Sequence, residues 1–160
     1  MPETLLLLGA NLGRRRAALS QAVARLSRLP GGRVLARSRL YDTAPVGPSR
    51  KRYLNLAVRC RTALSPMGLL VELKRLEALA GRRPGPRWGP RPLDIDILDY
   101  AGRRLKSRWL TLPHPRAAAR AFVLAPVCDI APRWKPDGRT SAARLLERLA
   151  PCAREVRPLP

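Results

Sequence analysis

Asp94 and Asp96 are the two side chains whose type and spacing most directly suggest chemistry. From Leu93 to Leu98 the residues alternate, so in an extended strand Leu93, Ile95 and Ile97 face a core while the two aspartates share the opposite face. Adjacent carboxylates repel each other, and a divalent cation between them removes the repulsion. Hard oxygen ligands at this spacing suit Mg²⁺, with phosphate oxygens completing its shell. The plainer alternative is a half-buried strand whose wet face carries two aspartates. The neighbourhood favours the cation, because residues 81–120 contain ten basic and three acidic residues. A metal-triphosphate complex needs this mixture, carboxylates for the metal and guanidinium forks for the phosphate oxygens. Arg82, Arg87, Arg91 and Arg120 are the candidate clamps. His114 is the only histidine, which excludes a histidine-rich zinc site and a histidine relay. It either touches a phosphate or ends a strand between Pro113 and Pro115. Trp88, flanked by Arg87 and Gly89, either stacks on a bound heterocycle or fills the core.

Several elements must position these groups. Leu5 to Leu8 reads as a buried strand ending in the turn Gly9-Ala10-Asn11-Leu12-Gly13, whose spacing matches neither the dinucleotide fingerprint nor the P-loop. Leu19, Ala22, Val23, Leu26 and Leu29 then share a helix face that Pro30, Gly31 and Gly32 stop. Val34 to Tyr41 is expected as one strand. In Tyr53 to Thr62, Leu54, Leu56, Val58 and Cys60 alternate with Asn55, Ala57 and Arg59, as in a strand with one wet face. Tyr53 and Asn55 therefore point to the same side, either as ordinary surface residues or as an aromatic edge and an amide able to read a small polar ring. Ser65-Pro66 is a helix start, with Leu69, Leu70, Leu73, Leu76 and Ala80 as its apolar stripe and Gly81 as its stop. Lys74 and Glu77 lie three apart on it and predict a surface ion pair worth a few tenths of a kcal/mol.

Thr43 to Arg52 and Arg82 to Trp88 are basic, proline-stiffened loops, candidates to close on a common cleft. Leu105 to Leu112 is expected to be extended, Arg116 to Val127 to form a short helix or two, and a last helix with Leu145, Leu146 and Leu149 to begin near Thr140 or Ser141. The order of elements predicts an α+β fold in which helices cover one side of a largely antiparallel sheet.

The length of 160 residues predicts a single domain spanning residues 1–160. Thirty-two Lys and Arg against 11 Asp and Glu give a net charge of +21, a field that attracts polyanions of every kind. Because the excess runs from end to end, it does not name a ligand. A nucleic-acid-binding domain is the main competing class. The few aromatic residues do not interleave as a stacking platform, however, and no recognised zinc, helix or RNA-binding signature accompanies them. Cys60, Cys128 and Cys152 are odd in number and lack paired spacing, which argues against a disulfide framework and for a reducing compartment. With no signal-peptide pattern and no 18-residue apolar run, the expectation is a soluble cytoplasmic protein that does not engage membranes.

Taken together, Gly9-Ala10-Asn11-Leu12-Gly13, Tyr53-Leu54-Asn55, Glu77 with Gly81-Arg82, the block Arg87 to Leu98, and Leu112-Pro113-His114 with Arg120 and Phe122 resemble 6-hydroxymethyl-7,8-dihydropterin pyrophosphokinase of folate biosynthesis. The resemblance runs in order over nearly the whole chain. It implies a monomeric, ferredoxin-like α/β/α sandwich that transfers the β,γ-pyrophosphoryl group of ATP to the pterin hydroxymethyl group and releases AMP. ATP and the pterin are then its partners, with no specific nucleic acid. By the same resemblance Asp94 and Asp96 hold two Mg²⁺ ions. Glu77, Arg82, Arg91, His114 and Arg120 lie on the nucleotide side, and Thr43, Tyr53, Asn55 and Phe122 form the pterin pocket. Trp88 belongs to a catalytic loop that closes on the site, and Arg82 and Arg91 act in catalysis. Two positions depart from the family pattern: Pro84 stands where a second arginine is common, so that Arg83 or Arg87 would take its contact, and Pro115 stands where an aromatic residue often follows the histidine.

Overall fold

Two apolar layers on opposite faces of one sheet organise the structure. The computed structural model describes the chain apart from Val46, Ser49, Arg87 and Trp88 and the side chains of residues 152–154. The sheet runs β5 (Asp94–Tyr100), β1 (Glu3–Ala10), β4 (Tyr53–Arg61), β3 (Tyr41–Thr43) and β8 (Val156–Pro158), with β2 (Arg33–Arg37) also paired to β4. Every pairing in it is antiparallel. A separate two-stranded hairpin joins β6 (Leu105–Lys106) to β7 (Thr111–Leu112).

One face buries Leu6, Leu8 and Ala10 of β1, Leu54, Leu56, Val58 and Cys60 of β4, and Ile95 and Ile97 of β5. Two helices cover it. Helix α1 (Arg15–Leu26) inserts Leu19, Ala22 and Leu26, and α2 (Pro66–Leu79) inserts Leu69, Leu73 and Leu76. The start of α2 follows its sequence, since Ser65 Oγ accepts the Gly68 N–H at 3.1 Å and Pro66 occupies the first turn. Its end comes at Gly81, whose φ of +94° suits glycine.

The opposite face is covered as well, which gives the α/β/α sandwich that the family resemblance implies and corrects the one-sided cover expected from the order of elements alone. Leu5, Leu7, Ala57 and Leu98 pack there against α3 (Ala121–Ile130) and α4 (Ala142–Leu149). The expected wet face of β4 is therefore covered at Asn55 and Ala57, both buried, and open at Arg59. Helix α3 has buried residues at five consecutive positions, Val123 to Val127, so it gives no amphipathic signal. Helix α4 begins where expected, with Ser141 Oγ accepting the Arg144 N–H.

Val34 to Tyr41 forms two strands rather than one. Ser38 turns its backbone N–H and its hydroxyl onto Ala57, donating to the carbonyl and accepting from the N–H at 2.9 Å each, and this separates β2 from β3. Leu105 to Leu112 is likewise a two-residue ladder around a turn rather than a continuous strand. In β5 the pairing with β1 slips by one residue between Leu5 and Leu6, making Leu98 the extra residue of a bulge. Ile95, Ile97 and Tyr100 then face one layer and Leu98 the other.

Candidate active site

The site lies on the α3 face of the sheet, where β1, β4 and β5 end side by side. Gly9 pairs with Asn55 on one side and with Asp94 on the other, and Leu7 pairs with Asp96. Alternation places all of these on the same face. A cavity of about 440 Å³ opens above them, lined by Thr43, Tyr53, Asn55, Arg91, Asp94, Asp96, His114, Arg120 and Phe122 among others. These nine sequence-selected residues come from three strands, the loop before β5, the segment leading into α3 and the first turn of α3.

One end of the cavity is neutral and tightly packed. Thr43 and Asn55 are buried, and Asn55 Nδ2 donates to Thr43 Oγ1 at 2.6 Å. That bond orients the amide and turns Oδ1 toward Gly9. A Cβ at Gly9 would lie 2.5 Å from Asn55 Oδ1, so only glycine leaves the amide its place. Phe122 stands at the start of α3, with the Arg120 guanidinium 5.5 Å from its ring centroid. This end offers an amide, a hydroxyl and aromatic surface to a flat polar ring.

The other end is charged. Arg82 Nη1 donates to Asp94 Oδ1 at 2.8 Å and also to Glu77 Oε2, while Arg91 Nη1 reaches the same Asp94 oxygen at 3.4 Å. Burial, with the adjacent Asp94 carboxylate adding to it, pushes the Asp96 carboxyl up to about 6. Among the described residues no group of three or more His, Cys, Asp and Glu side chains is placed to hold a metal. A cation on Asp94 and Asp96 would therefore take its remaining oxygens from a ligand or water, which fits Mg²⁺ and its preference for a few carboxylates plus phosphate.

His114 is set by its own backbone neighbourhood. Its Nδ1 accepts the Arg116 N–H at 3.2 Å, and its own N–H donates to the Leu98 carbonyl at 2.9 Å. Burial lowers its pKa, and Arg120 and Arg116 lower it further. The ring is thus a neutral imidazole whose Nε2–H is its remaining donor.

Glu77 and Arg82 line a second cleft, of about 690 Å³, together with Lys74, Arg83 and the chain from Pro84 to Pro86 and from Gly89 to Pro92. Arg91 borders both cavities. The Lys74–Glu77 ion pair forms, but it is not the surface pair expected: Glu77 is 1% exposed. Its Oε1 accepts the Ile95 N–H at 2.7 Å. Burial pushes the Glu77 carboxyl up, while the Ile95 N–H, Lys74 and Arg82 pull it down. Arg87 and Trp88, selected from the sequence, lie outside the described residues.

Two residues of the site carry roles the sequence did not single out. Gly9 forms the floor. Asn11 clasps the segment between the second basic loop and β5, its Oδ1 accepting the Arg91 N–H at 2.7 Å and its backbone N–H donating to the Arg91 carbonyl at 3.1 Å. An asparagine within a glycine-rich turn was the available signal. The first basic loop is also tied at its end, since Arg52 pairs with Asp42 and Glu155.

Comparison with known proteins gives the family and the fold. A sequence model of the 7,8-dihydro-6-hydroxymethylpterin-pyrophosphokinase family matches residues 5–132. The chain is 44% identical over 141 residues to a 2-amino-4-hydroxy-6-hydroxymethyldihydropteridine pyrophosphokinase of Methylorubrum extorquens, covering 88% of this chain and 89% of that protein. A protein of the same description from Pseudomonas aeruginosa is 42% identical over 147 residues, covering 91% and 88%. A mitochondrial folate synthesis bifunctional protein of Arabidopsis thaliana is 46% identical over 129 residues, which are 80% of this chain but 23% of that protein. Among solved structures, wild-type HPPK-DHPS of Plasmodium falciparum shares the fold with a TM-score of 0.73 at 16% identity, covering 96% of this chain and 42% of the other.

Proposed function

Because the chain belongs to the 7,8-dihydro-6-hydroxymethylpterin-pyrophosphokinase family, its reaction is transfer of the β,γ-pyrophosphoryl group of ATP to the hydroxymethyl group of 6-hydroxymethyl-7,8-dihydropterin, and we propose that the cavity above Gly9 is where it occurs. The observation that carries this placement is the juxtaposition, within one cavity, of a buried amide-hydroxyl pair on β4 and β3 with two carboxylates on β5.

In this reading Asn55 and Thr43 take the polar edge of the pterin, while Tyr53 and Phe122 cover its faces. The pterin hydroxymethyl group then points across Gly9 toward β5. Asp94 and Asp96 are the residues that would hold Mg²⁺, two ions in the family pattern. Bound there, Mg²⁺ supplies charge neutralisation for the phosphates and acidifies the acceptor hydroxyl. Arg82, Arg91 and Arg120 bind phosphate oxygens and take up charge as the transferred group moves, and Arg87 and Trp88 complete the catalytic loop. Glu77 sits behind this wall. His114 donates Nε2–H to the nucleotide. Its neutrality excludes it as a proton donor of imidazolium type at neutral pH. Attack is required at the middle phosphorus, so holding the acceptor at the neutral end and the phosphates at the basic end gives selectivity by orientation.

A single sheet that uses residues from Glu3 to Pro158 supports reading residues 1–160 as one domain, which we take to act as a monomer. Mass analysis of a mixture of the protein, Mg·ATP and the hydroxymethyl-dihydropterin tests the assignment. AMP and a pterin diphosphate are expected in equal amounts; ADP with a pterin monophosphate would overturn it.

A further inference from the structure

The geometry points to Glu77 as the positioning residue for Asp94 and Asp96, acting through the backbone of β5 rather than by touching a ligand. This rests on reading those aspartates as the metal-holding pair. Strand β5 is at the edge of the sheet, with β1 on one side only. Outward-facing amides of an edge strand ordinarily go to water and leave the strand free to shift. Here the Ile95 N–H, in the peptide between Asp94 and Ile95, donates to Glu77 Oε1 at 2.7 Å in a buried bond. Ile95 is the residue between the two aspartates, so a bond that fixes its peptide fixes how the two carboxylates stand relative to each other. The acceptor is itself rigidly held. Glu77 follows Leu69, Leu73 and Leu76 on a helix whose apolar face is sunk in the core.

A carboxylate 1% exposed is a costly placement, and an ion pair with Lys74 would not require it. The Ile95 bond accounts for the depth. The second oxygen has a separate task. Glu77 Oε2 accepts from Arg82 Nη1, which also donates to Asp94 Oδ1. Arg82 thus has a second anion to stay with when Asp94 is taken by a cation, so vacating Asp94 does not leave a guanidinium stranded. Glu77 therefore holds the strand that carries the ligands and keeps their competing cation nearby.

Two substitutions separate the backbone bond from the charge. Glu77→Gln keeps an oxygen at the right reach for the Ile95 N–H but loses the charge, whereas Glu77→Asp keeps the charge and loses the reach. Binding of Mn²⁺ in the presence of a non-hydrolysable ATP analogue is followed by electron paramagnetic resonance, and pterin binding to the same proteins by calorimetry. The expected result is Mn²⁺ affinity within a few fold of wild type for Glu77→Gln, whose lost charge loosens only the hold on Arg82, and about tenfold or more weaker for Glu77→Asp, the range found when a residue that orients metal ligands is lost. Pterin affinity stays unchanged in both, because Thr43 and Asn55 lie on other strands. Glu77→Asp binding Mn²⁺ as wild type does, or Glu77→Gln losing it, would overturn the proposal. Failure of the wild-type protein itself to bind Mn²⁺ with the analogue would instead overturn the metal reading on which the proposal stands.

Discussion

The two ends of the cavity are built on opposite principles. At the Thr43 and Asn55 end, neutral groups are buried, bonded to each other and fitted against a glycine, so folding alone completes the surface. At the Asp94 end, two guanidinium groups share one carboxylate oxygen and one of them is divided between Asp94 and Glu77. Such an arrangement is complete only for the protein without its charged ligands, and an incoming phosphate or cation changes which partners are best. On the proposed function, this difference lets one pocket serve a ligand of fixed shape and a ligand of high charge. Packing preorganises the first interaction, and exchange of counter-charges accommodates the second.

The strongest way to break this comparison is at the carboxylates. Asp94→Ala and Asp96→Ala should each reduce turnover by about a thousandfold or more, since charge stabilisation by a bound metal is worth several kcal/mol. Pterin affinity should stay near wild type, read by calorimetry beside an AMP-release assay; loss of pterin binding in either variant would erase the distinction between the ends. Next in size, Asn55→Ala should weaken pterin binding by about 1 to 3 kcal/mol while a non-hydrolysable ATP analogue binds as before. Equal weakening of both ligands would show that the amide does not belong to one end. A smaller version of the same loss is expected from Gly9→Ala, on the order of 1 kcal/mol, because the added methyl group displaces the amide without removing it. Absence of any further loss from Gly9→Ala in an Asn55→Ala background would support that steric cause.

The smallest effect concerns stability. Asp96 has its carboxyl raised to about 6, above the usual carboxylate range, by burial and then by Asp94. Its folded-state pKa exceeds the unfolded one, so its contribution to the metal-free protein is fully present below the unfolded value and is lost as pH rises through about 6. Asp96→Asn should remove that loss and make the metal-free protein more stable at pH 7.5 by on the order of 1 kcal/mol, while leaving it unchanged at pH 4. Urea unfolding at the two pH values measures this. A variant less stable than wild type at pH 7.5 would contradict the assigned sign.

The sequence made the carboxylate pair legible because a strand converts alternation directly into a shared face, and Ser65-Pro66 and Ser141 marked helix starts through local bonds that need no tertiary context. The second helical layer was hidden. Helix α3 is buried over consecutive positions, and Ala57 and Asn55 look like a solvent face until that helix covers them. Glu77 was misplaced on the surface for a related reason: the partner that justifies its burial is a backbone amide 18 positions away, and no side-chain pattern announces a backbone donor. The same applies to Asn11, whose partner is the main chain of Arg91.

The bulge at Leu98 gives β5 a limited tolerance to changes in length. The extra residue allows Ile97 and Tyr100, three positions apart, to enter the same layer, while Leu98 keeps the face that alternation gives it. Deleting Leu98 would make the ladder regular and leave Ile97 and Tyr100, then two positions apart, in the same layer, at the cost of the leucine that packs in the other. A residue added at Ala101-Gly102, where positive φ already marks a turn, would leave both layers and both aspartates where they are. Length variants at the bulge and at the turn should therefore keep both aspartates on their face, whereas a deletion between Asp94 and Ile97 should not.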